Sequence, residues 1–153
     1  MIKINVFSEE RAWSKRLKNK EIFFNKICRS FPKKYKFHKK KIGISLMLSN
    51  NKNIKRLNKN FRNKNKSTDI LSFPFDKKKN RNNQNYLGDI IISYNYMDKP
   101  KSKNLRVFKQ KVARTFIHGF LHLLGYDHVN NNDYKKMIKQ EEKLFKAVIS
   151  KIN

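Results

Sequence analysis

Hydrophobic side chains along this chain alternate with polar ones, then recur every three or four positions, then alternate again, and the switches of period mark out its elements. Ile2, Ile4 and Val6 alternate with Lys3 and Asn5, the period of a half-buried strand. Over residues 12–31, Trp13, Leu17, Ile22, Phe23, Ile27 and Phe31 recur at helical spacing until Pro32 closes the segment. A basic connector containing His38 leads to a second strand at 41–48, built on Ile42, Ile44, Leu46 and Leu48. Ser49 and Asn50 can cap a short helix reaching about residue 61, with Ile54 and Leu57 inward. A polar loop then feeds a strand at 69–75, which Pro74 ends or confines to a sheet edge. Residues 76–86 read as an exposed hairpin loop and 87–93 as a fourth strand. If the strands at 69–75 and 87–93 pair, the pairing is antiparallel, since a loop of this length with no helix cannot make a parallel crossover.

Residues 94–103 read as a loop or short helix, 104–124 as a long helix, and 133–150 as a final amphipathic helix carrying Tyr134, Met137, Ile138, Leu144, Phe145 and Val148. Four strands and four to five helices in mixed order predict an α/β (mixed, α+β-like) fold. The whole of 1–153 is expected to form a single domain, with a four-stranded mixed sheet and the long helix central and most buried.

That helix carries the chemistry. Three of the four histidines fall within eleven residues, His118-Gly-Phe-Leu-His-Leu-Leu-Gly-Tyr-Asp-His128. His118 and His122, at i and i+4, share one helix face and can bind one ion together. Gly125 offers a left-handed helix cap, after which the chain can fold back and bring His128 to a third ligand position. Three imidazoles leave one position open on a tetrahedral ion such as Zn²⁺, the arrangement of a catalytic rather than a structural site. Asp127 can orient a ligand imidazole or simply end the turn; Asp69 and Asp89 flank strands expected near the site, in a functional or a purely structural role. The spacing also fits the extended zinc-protease motif, but Gly119 stands where those enzymes have their general-base glutamate. Peptidase chemistry is thereby disfavoured, and Gly119 is expected to let backbone or substrate come close to the metal.

Composition narrows the partner. The net charge of +27 favours polyanions, and in a cytoplasm these are chiefly RNA and DNA. Of the 38 basic residues 30 are Lys, and there are 20 Asn, a pairing that an A- and T-rich genome produces by itself, so only part of the excess is read as binding. The absence of a long apolar run, an N-terminus unlike a signal peptide, and the single cysteine, Cys28, which excludes an internal disulfide, imply a cytoplasmic protein.

Three blocks in order resemble the YbeY family of bacterial rRNA-maturation endoribonucleases. They are Leu57-Asn-Lys-Asn-Phe-Arg62 with Ser67-Thr-Asp-Ile-Leu-Ser-Phe-Pro74, then Leu87-Gly-Asp-Ile90, then the histidine block. The resemblance implies a single-strand-specific, metal-dependent endoribonuclease acting in 16S rRNA 3′-end maturation and ribosome quality control beside the small ribosomal subunit and its proteins. It implies one zinc ion on His118, His122 and His128, and it gives Arg62 a role in activity. From composition alone Arg62 would read as a solvated loop residue; as a guanidinium it can hold two phosphate oxygens at once. The stretch at 77–85 is more basic than the family pattern, and residues 1–40 match it only in outline. The alternatives are a non-catalytic, metal-stabilised factor binding RNA or the ribosome, and another zinc metallohydrolase.

Overall fold

Strand β1 (Ile2–Ser8) pairs in parallel with β2 (Ile42–Ser49), and β2 in parallel with β4 (Tyr86–Ser93). The edge strand β3 (Ile70–Pro74) runs antiparallel to β4, giving the order β1-β2-β4-β3. The computed structural model describes residues 1–79, 82, 85–101 and 104–153. Pro74 is the last residue of the edge strand, where its missing N–H removes no ladder bond from the sheet interior.

Because side chains alternate across each strand, the register sorts the sheet into two unequal faces. Ile4, Ile44, Leu46, Ile90 and Ile92 face the main core, with α2 (Lys20–Arg29) and α5 (Leu105–Leu123) packed over the sheet and α6 (Asn131–Ile152) packed on those two helices. On the other face, Leu71 and Ile91 cluster with Ile54 of α3 (Asn51–Arg62), with Met47, Leu57 and Phe73 packed against them, so the second cluster is small. Phe7 and Phe61 remain largely exposed at its borders. Each of the three longest helices starts on an asparagine whose Oδ1 accepts a backbone N–H: Asn50 from Asn53 at 2.9 Å, Asn104 from Arg106 at 2.9 Å and Asn130 from Asp133 at 2.9 Å.

α5 is the helix of the interior: Phe108, Val112, Phe116, Ile117, Phe120 and Leu121 are all essentially inaccessible. The element expected over 12–31 is instead two helices, α1 (Ala12–Arg16) and α2. The break comes at Leu17, whose extended backbone (φ −124°, ψ 92°) ends α1. The cause lies outside the segment. Trp13 is buried, and its indole N–H reaches its acceptor, the Ser49 carbonyl, 2.9 Å away at the end of β2, which fixes α1 in an orientation that α2 does not continue. Ile22, placed inward by the continuous-helix reading, is consequently exposed, and so are Tyr134 and, more marginally, Ile138 on α6. α4 (Tyr94–Met97) is the short helix allowed for at 94–103, whose residues 102 and 103 lie outside the described set. Of the expected hairpin loop, residues 80, 81, 83 and 84 likewise lie outside it.

Two glycines set how closely α5 meets the antiparallel edge. A Cβ on Gly88, at φ +141°, would lie 2.2 Å from the Phe73 carbonyl oxygen and 3.0 Å from Leu123 Cδ2. A Cβ on Gly119 would lie 2.5 Å from Ile70 Cδ1 and 2.9 Å from Ser72 Oγ. The Gly88 contact is with backbone, which cannot rotate away. Gly88→Ala is therefore expected to destabilise the fold by roughly 2–4 kcal/mol, from strain at positive φ plus overpacking. The check is a lowered urea midpoint at unchanged slope; a loss below about 1 kcal/mol would show that the β3–β4 ladder yields.

Candidate metal centre

The last two turns of α5 carry His118 and His122 with their Nε2 atoms 3.1 Å apart. The helix then ends as the glycine predicted. Gly125, at φ +95°, donates to the His122 carbonyl at 3.0 Å and Tyr126 donates to the Leu121 carbonyl at 3.1 Å, the paired bonds of a left-handed cap. This reversal presents the Tyr126 carbonyl 2.9 Å from His122 Nδ1 and carries His128 round to the other two rings. Ring centroids of His128 lie 5.7 Å from His118 and 5.1 Å from His122, and one ligand atom from each residue falls within 4.8 Å of the others.

The protons on these rings follow from their partners. A carbonyl oxygen only accepts, so His122 Nδ1 carries hydrogen and its Nε2 holds a lone pair. His118 Nδ1 lies 3.1 Å from Glu141 Oε1, a carboxylate on α6, which gives the same tautomer. Two Nε2 lone pairs thus face each other, an arrangement that calls for a cation. Two nitrogens bound tetrahedrally to one Zn²⁺ would be about 3.3 Å apart, close to the spacing here. The donor set accordingly fits a metal ion. Burial first, then the neighbouring His118, holds the His122 pKa below its ordinary value, with the Tyr126 carbonyl opposing and His128 adding to the fall. A neutral imidazole is the form that binds metal.

The cluster opens into a cleft of about 560 Å³ between the end of α5, the turn at 125–128 and the loop before β3. Arg62 also lines this cleft, with Lys64, Thr68 and Asp69. Its position is set by the exit from α3: Asn63 adopts the left-handed conformation (φ 54°) that stops the helix. The buried Asn58 amide donates to the Lys66 carbonyl at 2.9 Å, pinning the loop that follows.

The remaining candidates divide. Asp69 lies in the cleft, with one oxygen accepting from its own strand, at Ile70 N, 2.8 Å. Asp89 does not: it stands on the opposite face of β4 from Ile90 and accepts from the Tyr86 hydroxyl at 2.5 Å, as period-2 alternation from the inward Ile90 requires. Asp127 caps the turn, accepting from His128 N at 2.7 Å, and the imidazoles are oriented instead by Glu141 and the Tyr126 carbonyl. Gly119 admits strand β3, not a substrate; a glutamate there would be driven into Ile70 and Ser72. His38 is exposed on its basic loop and Cys28 is buried, its thiol pKa raised by burial. Glu141 was the residue missed, and the only hint in the sequence is an acidic pair in an otherwise lysine-rich helix.

A family model described as Endoribonuclease YbeY matches residues 5–149. The chain is 60% identical over 152 residues to the endoribonuclease YbeY of Pelagibacter ubique, covering 99% of both chains. It is 39% identical over 129 residues to that of Buchnera aphidicola from Schizaphis graminum (78% of this chain, 81% of the relative), and 36% identical over 134 residues to that of a Sulfurihydrogenibium species (83% and 88%). The fold is similar to the solution structure of TM1509 from Thermotoga maritima, with a TM-score of 0.55 at 24% identity, covering 98% of this chain and 90% of that one.

His122 also gives a pH signature. In the unfolded chain it titrates near its ordinary 6.5, and in the folded protein lower. Above 6.5 both states are neutral and the residue contributes nothing. As pH falls below 6.5 the unfolded state takes up the proton first, and stability is lost. Metal-free protein is expected to lose less stability between pH 7 and 5.5 when His122→Gln removes this group. Identical pH slopes in urea titrations would contradict the assignment.

Proposed function

The chain belongs to the endoribonuclease YbeY family and is by that membership an RNA-cleaving hydrolase, and we propose that the cleft facing His118, His122 and His128 is where it cuts. In this reading residues 1–153 are one metal-dependent endoribonuclease domain. It acts in the cytoplasm on single-stranded RNA, in maturation of the 3′ end of 16S rRNA and in ribosome quality control, beside the small ribosomal subunit. The observation that carries it is the convergence, in one cleft, of three imidazoles and a guanidinium drawn from separate parts of the chain.

The residues divide the work. His118, His122 and His128 would hold the ion, and zinc suits a neutral three-imidazole set. When bound, such an ion supplies Lewis acidity and lowers the pKa of water. Arg62 lines the cleft, where its planar fork can take two phosphate oxygens and offset charge developing on the phosphorus. Lys64 adds positive charge beside it. The Thr68 hydroxyl donates to the adjacent Asp69 carboxylate at 3.1 Å, at the end of the loop that enters β3. The net charge of +27 draws the polyanion in at long range and makes binding salt-sensitive.

A peptidase reading fails on Gly119, whose missing side chain points at β3 rather than into the cleft. The metal-stabilised ribosome-binding factor is separated by a single-turnover assay on RNA carrying the 3′ end of precursor 16S rRNA. The parent is expected to cut it, with His122→Ala losing both metal and cleavage. Arg62→Ala should keep its metal and cut at least about 100-fold more slowly, with Arg62→Lys recovering little. If all bind RNA alike and none cuts above background, the cleft is not a nuclease site.

A further inference from the structure

Helices α5 and α6 are tied by two polar contacts one helical turn apart. Arg114 Nη1 meets Glu142 Oε1 at 2.6 Å, with its guanidinium 4.0 Å from the centre of the Phe145 ring. Four residues on, His118 Nδ1 meets Glu141 Oε1 at 3.1 Å. The first pair is open to solvent, its side chains 44% and 48% exposed; the second is sheltered, at 30% and 16%. α6 is otherwise rich in lysine, and its adjacent acids stand opposite the two cationic or hydrogen-bearing groups that α5 turns toward it.

Glu141 does not line the cleft and so is not placed to touch a phosphate there. What it touches is the back of His118, on the nitrogen away from His122. We propose that Glu141 is a positioning residue for the metal: its carboxylate takes the Nδ1 hydrogen of His118, locks the ring so that Nε2 points at the ion, and strengthens that nitrogen as a donor. The role rests on His118, His122 and His128 being the ligands. His122 is held by a neutral backbone carbonyl at the equivalent nitrogen, so among the described residues Glu141 is the one anion hydrogen-bonded to a ligand ring. Three neutral imidazoles leave a dication uncompensated, and this carboxylate brings the local charge from +2 to +1. It also makes α6 part of the site, although that helix contributes no ligand.

The test uses the full chain, with Zn²⁺ affinity measured by chelator competition at pH 7.5. Glu141→Ala is expected to weaken zinc binding about 10–100-fold, with Glu141→Gln between it and the parent, since the amide oxygen still accepts. Glu142→Ala, which breaks only the neighbouring ion pair, should bind like the parent. In the metal-free protein, ¹⁵N shifts should report His118 as the Nδ1–H tautomer in the parent and as a mixture in Glu141→Ala. If Glu141→Ala and Glu141→Gln bind zinc as tightly as the parent while His122→Ala does not, Glu141 is an interhelical contact and the inference falls alone. If the parent binds no stoichiometric ion and His122→Ala changes nothing, the metal reading falls and the inference with it.

Discussion

The absence of side chains at Gly88 and Gly119 lets β3, β4 and α5 close on one another: a Cβ at the first would meet the Phe73 carbonyl and one at the second the ends of Ile70 and Ser72. Everything chemical depends on that approach. With the helix seated there, its C-terminal turns end beside the loop that leads from α3 into β3, so His118 and His122 share a cleft with Arg62. Moving the helix outward by a methyl group would widen the cleft and separate the cation from the imidazoles. The cost is borne locally: glycine weakens both a helix and a strand, and the apolar burial along the rest of α5 offsets it.

Around the site, structure and charge are arranged by backbone as much as by side chain. The cap at Gly125 satisfies the last carbonyls of α5 and, through the same reversal, turns the Tyr126 carbonyl onto His122. The Asn58 amide performs a comparable task across the cleft, holding the loop after Arg62. In the first case the bonds that end a helix also set the partner of an imidazole, and in the second a buried side-chain amide orders the loop that follows Arg62.

Much of this could be read from the residues alone. Strands announced themselves by alternation, with Pro74 at an edge and β3 antiparallel to β4 as expected. The histidine spacing and Gly125 specified the cluster because a helix and its cap are local objects with fixed geometry. What escaped was tertiary. The break at Leu17 follows from where the Trp13 indole finds its acceptor, in a strand 36 residues away in sequence. Glu141 meets His118 from 23 residues downstream, and no periodicity links them. Asp89 is different: alternation from the inward Ile90 already places it on the far face, where it accepts from the Tyr86 hydroxyl.

The three imidazoles do not stand on equal footing. Two sit on a buried helix, already aligned by partners behind them, while the exposed His128 hangs on the turn beyond Gly125. The cluster thus joins two rings fixed on a helix to one carried on a turn, with Gly125 at the joint, and an ion shared by all three would be held only as firmly as that turn is ordered.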